Sequence, residues 1–226
     1  MKKYSVSKTF PLQTVMSEKV CAVMRMFGVT AERLSENVTA HNCQVQINDG
    51  DIVYITGPSG AGKSVLLREF EKSIPASEKV NLGDIDLAGN KAVVDCIEGD
   101  FLTSLKVLST AGLNDVFCVL NKPANLSDGQ KYRFRLAAAL ACGKQFVFAD
   151  EFCSNLDRIT AAVISYNIHK FAKRKGVTFI LAASHDDILA DLSPDVLIIK
   201  ELSGKTEIIY KDQRLNNNGG DGNAKL

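Results

Sequence analysis

With 226 residues the chain can bury one compact core, or one core plus a small subdomain. Its 27 basic and 26 acidic side chains leave a formal charge of +1, so no overall field draws it to nucleic acid or to a membrane, and such a partner needs a local patch. No apolar run reaches the roughly 20 residues of a membrane helix, and Ser5, Ser7, Lys8, Thr9 and Gln13 break the apolar core that a signal peptide requires, so the expected location is cytoplasmic.

In chain order, Val20, Val23, Met24 and Phe27 recur at helical spacing and predict an N-terminal helix over 19–27. Around Asn48-Asp49-Gly50 the runs QVQI and DIVYIT read as a hairpin or adjacent strands. A glycine-rich loop follows, then the helix SVLLREFEKSI, closed at Ile74-Pro75 because the residue before proline avoids the helical region. KAVVDCI is the next strand candidate. Two short helices around Gly112 are expected between Phe101 and Cys118, and an alanine-rich helix from Asp128 to Cys142, ended by Gly143. QFVFADE then reads as a buried strand, 159–175 as a helix stopped by Gly176, VTFILAAS as a strand, and DVLIIKE with KTEIIYK as a hairpin across Ser203-Gly204. The alternation of strand and helix predicts an α/β layered fold with a mainly parallel central sheet. Residues 213–226 carry too little apolar surface to offset their ordering entropy and are expected to be disordered. The six cysteines stand singly, without metal-binding spacing, and read as reduced core filler.

Three motifs carry chemistry. Gly57-Pro58-Ser59-Gly60-Ala61-Gly62-Lys63-Ser64 lies between strand DIVYIT and a helix and matches GxxxxGK[ST] in its required context. Its backbone N–H groups, continuing to Val65, would wrap phosphates; Lys63 would reach the β- and γ-phosphates of ATP, and the Ser64 hydroxyl would hold Mg²⁺. Asp150 and Glu151 end the buried strand, and alternation along a strand gives them different roles. Asp150 would hold Mg²⁺ through water, and Glu151 would orient and deprotonate the attacking water. Leu126-Ser127-Asp128-Gly129-Gln130 immediately precedes the alanine-rich helix, where Ser127 or Asp128 could also serve as an ordinary N-cap.

LSDGQ, placed between the loop and the acidic strand, resembles the LSGGQ signature of ABC-type ATPases. The resemblance covers about 44–211 and implies a P-loop fold of the ABC type, with an antiparallel β subdomain and a shortened helical subdomain near 98–130. It divides the chain into an N-terminal extension with a helix (1–40), an ATPase domain (41–212) and a tail. It also implies a head-to-tail homodimer in which Ser127, Gly129 and Gln130 of one copy cover the γ-phosphate held by the other. Ser154-Asn155-Leu156-Asp157 resembles the family's D-loop at that interface, with Asp157 near the nucleotide, and His185 falls where the family places a histidine that contacts the γ-phosphate.

The sequence also departs from the family. No glutamine lies between Ser64 and Gln130, where transporter subunits carry one that binds Mg²⁺ and senses the membrane partner; Asp95 is the candidate substitute, with Glu98 and Asp100 as rivals. Phe152 stands where a proline usually follows the catalytic glutamate, and the later arginine of the signature helix is replaced. Tyr4, Phe10 and Phe27 are all candidates to stack on adenine. These departures and the short arm point to a soluble, non-transport ATPase with an unidentified protein partner, similar to soluble bacterial and archaeal ABC ATPases that in some proteins are fused to an acetyltransferase-like domain. An ABC transporter subunit, a nucleic-acid-associated ATPase of the DNA-repair or SMC kind and an ATP-binding regulator are the alternatives. For nucleic acid the candidate clusters are Lys131, Arg133 and Arg135, and Lys170, Lys173, Arg174 and Lys175; a helix C-terminus explains the second without any ligand.

Overall fold

The computed structural model describes residues 2–10, 15–36, 39–87 and 89–211. The tail expected to be disordered lies outside them.

Strand β1 (Lys2–Phe10) is followed by helices α1 (Glu18–Phe27) and α2 (Ala31–Glu36) and then by β2 (Thr39–Ile47). β1 and β2 pair antiparallel from Lys2↔Ile47 to Phe10↔Thr39, forming a two-stranded sheet. Val6, Cys43, Val45 and Ile47 are buried side chains of this sheet, so Lys2–Phe10 is a packed strand. The predicted N-terminal helix is α1, capped by Ser17, whose hydroxyl accepts from the Val20 N–H, and stopped by left-handed Gly28.

Strand β3 (Ile52–Thr56) leaves this sheet, so the expected hairpin between QVQI and DIVYIT does not form. Asn48 to Asp51 makes a closed turn, with the Asn48 N–H on the Asp51 carboxylate at 2.7 Å and the Asp51 N–H on the Asn48 carbonyl at 3.2 Å. That turn redirects the chain into a six-stranded sheet. After β3 come α3 (Lys63–Lys72), β4 (Lys79–Asn81), α4 (Phe101–Thr110), α5 (Val116–Leu120), α6 (Asp128–Ala141), β5 (Phe146–Ala149), α7 (Arg158–Lys175), β6 (Thr178–Ala182), α8 (Leu189–Leu192), β7 (Val196–Lys200) and β8 (Thr206–Tyr210). The strand order is β4-β5-β6-β3-β7-β8; all neighbours are parallel except β7 and β8.

Of the parallel strands, β3, β5 and β6 are buried on both faces and alternate between two cores, while the edge strand β4 is half-buried. Ile52, Tyr54, Val147, Ala149, Phe179 and Leu181 pack with α4, α6 and α7. Val53, Ile55, Phe146, Phe148, Ile180 and Ala182 pack with α3 and the two-stranded sheet. The strand expected at KAVVDCI is a 3-10 turn over Val93–Cys96, and the edge place beside β5 is taken by Lys79–Asn81. The Val93 N–H donates to the Asn121 carbonyl, which ties that apolar run to the helical arm instead of the sheet. All six cysteines are free, as expected. Only Cys43, Cys118 and Cys153 are buried, however, while Cys21 and Cys142 are exposed, so core filler describes half of them.

Candidate nucleotide site

β3 delivers the glycine-rich loop. Its last hydroxyl, on Thr56, donates to Asp186 at 2.6 Å, and Gly57 then turns with φ 138°. A Cβ at Gly57 would lie 2.1 Å from the Lys200 carbonyl oxygen, so only glycine lets the loop pass this close to β7. Gly62 sits at the N-cap of α3 in a left-handed conformation and supplies no side-chain cap. The first N–H groups of α3 therefore lack a side-chain acceptor and, with the helix dipole, form an anion-binding end. Lys63 is buried, its ammonium donating to the Gly57 and Pro58 carbonyls at 2.8 and 3.0 Å. Pro58, Ser59, Gly60 and Ala61 complete the loop, and Val65 continues α3.

The two proposed magnesium ligands meet: the Ser64 hydroxyl donates to Asp150 at 3.0 Å. One hydroxyl and one carboxylate, completed by phosphate oxygens and water, suit the octahedral oxygen preference of Mg²⁺. Asp95 is exposed on the 3-10 turn, and among the described residues no three His, Cys, Asp or Glu side chains gather as a metal site, so Asp95 adds no ready-made cage to Asp150.

Glu151 is exposed, and its carboxylate accepts from the Ser154 hydroxyl at 3.0 Å; both acids lie beyond the end of β5, so strand alternation does not set their directions. Its backbone has φ 52°, and Cys153 has φ 58°, both uncommon outside glycine and costly by about 1–3 kcal/mol each. Phe152 anchors the double kink: it is fully buried, and its N–H donates to the Ala182 carbonyl at the end of β6. The buried phenylalanine side chain holds this segment, where the sequence resemblance leads one to expect a proline. His185 follows β6. With Cys153, Ser154, Leu156, Arg158 and Asp187 it lines a cavity of about 130 Å³, so the histidine and the SNLD segment are brought together.

Ser127 caps α6 and forms a reciprocal capping box with Gln130: the Ser127 N–H donates to Oε1 of Gln130 at 2.9 Å, and the Gln130 N–H donates to Oγ of Ser127 at 3.4 Å. Ser127 is exposed beside the helix N-terminus. Gly129 faces the SNLD segment, where an added Cβ would stand 3.3 Å from a Leu156 methyl. Asp157 caps α7; hydrogen bonds from the Thr160 side chain and then its N–H hold its carboxyl below the usual carboxylate range.

Two tyrosines that the sequence did not single out bind these pieces together. Tyr54 on β3 is buried and donates to the His185 carbonyl at 2.5 Å, and burial pushes its phenol well up. Tyr132, one turn into α6, accepts the Cys153 N–H at 3.0 Å; burial raises its phenol as well. Neither motif spacing nor hydropathy separates these hydroxyls from ordinary core aromatics. Tyr132→Phe is expected to leave the Cys153 N–H without its acceptor and to lower stability by about 1–3 kcal/mol, read as a lower urea midpoint at unchanged m-value.

The arginines of the first basic cluster are engaged internally: Arg133 donates to the Gly129 and Gly112 carbonyls, and Arg135 to the Ile85 carbonyl. Of the adenine-stacking candidates, Tyr4 packs edge-on against Phe146 with centroids 6.5 Å apart, Phe27 is exposed at the end of α1, and the Phe10 side chain lies outside the described residues.

A family model described as "ABC transporter" matches residues 40–100. The chain is 27% identical to the sn-glycerol-3-phosphate import ATP-binding protein UgpC of Chromohalobacter salexigens, over 79% of this chain and 56% of that protein. It is 26% identical to the methionine import ATP-binding protein MetN of Mannheimia succiniciproducens, over 80% of this chain and 61% of that protein. The chain thus spans well under two thirds of the length of these curated relatives. Among solved structures, a dimeric ATP-binding cassette in a post-hydrolysis state with ADP and Pi superposes with a TM-score of 0.63 at 19% identity, over 89% of this chain and 95% of that one. A cassette from Clostridium perfringens that is part of the transporter complex cbiONQ superposes at 0.59 and 18% identity, over 78% and 83% of the two chains.

Proposed function

We propose that this chain, an ABC-type ATP-binding domain by fold, motif order and family match, hydrolyses ATP while closed head to tail on a second copy. The observation that carries the reading is the Ser64–Asp150 pair beside the outward-facing Glu151, with Ser127 exposed at a separate helix N-terminus in the same chain. In this arrangement the N-terminus of α3 and Lys63 hold the β- and γ-phosphates. Bound through Ser64 and Asp150, Mg²⁺ would neutralise charge on the phosphate oxygens. Glu151 takes a proton from a water whose oxygen bonds to the γ-phosphorus as the bond to the bridging oxygen breaks, leaving ADP and phosphate. His185 steadies the γ-phosphate oxygens, and Ser127 of the second copy, with the dipole of its α6, closes the far side.

Because each site takes half its groups from another copy, turnover per chain should rise with protein concentration until dimers predominate. A phosphate-release assay over a hundredfold dilution tests this, and turnover per chain that stays constant throughout refutes the shared site.

For the load on the cycle, a membrane partner is the second reading. The sequence departures favour a soluble use, but the relatives above are import subunits and lend that use no support. The helical arm also presents Phe101, Leu102, Val116, Leu120 and the 81%-exposed Phe117, the kind of apolar patch that marks a docking surface. No helix among the described residues is long and apolar enough to cross a membrane, so this reading requires the membrane part to be separate from the described residues. Copurification of a membrane protein, lost in Phe117→Asp, supports it; a partner-free preparation from native membranes and cytosol counts against it.

A further inference from the structure

Helices α4 and α7 pack against each other and carry no acidic residue between them. Their six cations are Lys106 on α4 and Arg158, Lys170, Lys173, Arg174 and Lys175 on α7. Two are neutralised by carboxylates, Arg158 by Asp187 at 3.5 Å and Lys173 by Asp195 at 2.7 Å. The other four have no carboxylate within 4 Å among the described residues. Three of those, Lys106, Lys170 and Arg174, converge on one cleft of about 280 Å³, whose remaining polar lining is Ser109, Thr110 and Asn167.

The dipole at the C-terminus of α7 accounts for Arg174 but not for Lys170, which precedes the last turn, nor for Lys106, which comes from another helix and lies outside that helix's last turn. In a chain of net charge +1, this convergence is a local concentration of positive charge rather than a share of a general excess. The cleft is slightly smaller than a typical enclosed small-molecule site of about 300–1,000 Å³, and its floor is the buried Phe171. Three cations from two helices, with hydroxyls and an amide between them in an open cleft, suit a chain of repeating anions. We infer that the α4–α7 cleft binds the phosphodiester backbone of single-stranded nucleic acid, with Lys106, Lys170 and Arg174 on the phosphates.

The inference goes beyond the ATPase reading and stands apart from it, because none of these residues belongs to the nucleotide site. The test is fluorescence anisotropy of a labelled single-stranded 20-mer with the full chain, across 50–200 mM KCl. Saturating Mg-ADP is included so that the glycine-rich loop is not counted as the anion site. The variant Lys106→Ala/Lys170→Ala/Arg174→Ala should lower the slope of log affinity against log salt by about 2, from three phosphate contacts at roughly 0.7 each, while basal ATPase stays unchanged. The distant variant Lys19→Ala/Arg25→Ala/Arg33→Ala should keep the wild-type slope. No oligonucleotide binding at 50 mM KCl, an equal loss in both variants, full displacement by an equimolar amount of pyrophosphate, or binding to phosphatidylserine vesicles in place of the oligonucleotide would each overturn the inference.

Discussion

A Glu151→Gln chain is expected to gather into dimers in saturating Mg-ATP and to turn over at least about a hundredfold more slowly than wild type. General-base catalysis contributes about 10²–10⁴ in rate, and the amide keeps the size and hydrogen-bonding capacity of the acid while losing its ability to take a proton. Glu151 is exposed, and its carboxylate accepts a hydrogen bond from the Ser154 hydroxyl, which a glutamine oxygen also accepts. The exchange should therefore leave folding intact and separate chemistry from closure. Light scattering with and without Mg-ATP, beside a phosphate-release assay, reads both. Wild-type turnover would remove Glu151 from the reaction, and a chain that stays monomeric would remove the ATP-held dimer.

Gly57→Ala should cost the fold about 3 kcal/mol and abolish tight nucleotide binding. The added methyl would meet the Lys200 carbonyl oxygen at 2.1 Å and its carbon at 3.1 Å, and φ of 138° is unfavourable for any side chain. Backbone strain of about 1–3 kcal/mol and overpacking of a similar size combine at this position. Lys200 has little freedom to retreat: it ends β7, where Ile199 pairs with Thr56, and its side chain is fully buried on the Gly204 carbonyl and the Thr206 hydroxyl. Gly60→Ala is the contrast, since its nearest neighbour is a Leu202 methyl at 4.0 Å and only the positive φ is penalised. Urea titrations and binding of a fluorescent ATP analogue should rank Gly57→Ala well below Gly60→Ala. Equal stabilities would show that the loop shifts away from β7 at little cost.

The candidate site was legible in the sequence because its motifs are local. Phosphate cradling needs glycines and a lysine within eight positions, and the Asp150-Glu151 pair needs only a strand ending on two acids. The structure then brought Ser64 to Asp150 across 86 positions without surprise. What the sequence hid is long-range or geometric. β1 pairs with β2 across two intervening helices, and neither strand carries a local sign of its partner. KAVVDCI has the composition of a strand, yet the sheet edge was already filled by the short and less apolar Lys79–Asn81. Tyr54 and Tyr132 read as core aromatics, because their use lies in where one hydroxyl ends up. The second basic cluster is likewise ambiguous along the chain and acquires its third wall, Lys106, only through the packing of α4 on α7.

Gly129 leaves room for Leu156 and the Asn155 backbone, and Tyr132 on the same helix receives the N–H of Cys153. In the proposed head-to-tail pair, the surface one copy would offer to its neighbour's γ-phosphate is fastened to the segment bearing its own glutamate. Loss of a phosphate on one side would be felt as a displacement on the other within a few ångströms of chain. In the proposed pair, a variant that loosens the Gly129–Leu156 seam is expected to let each copy turn over without reference to its neighbour.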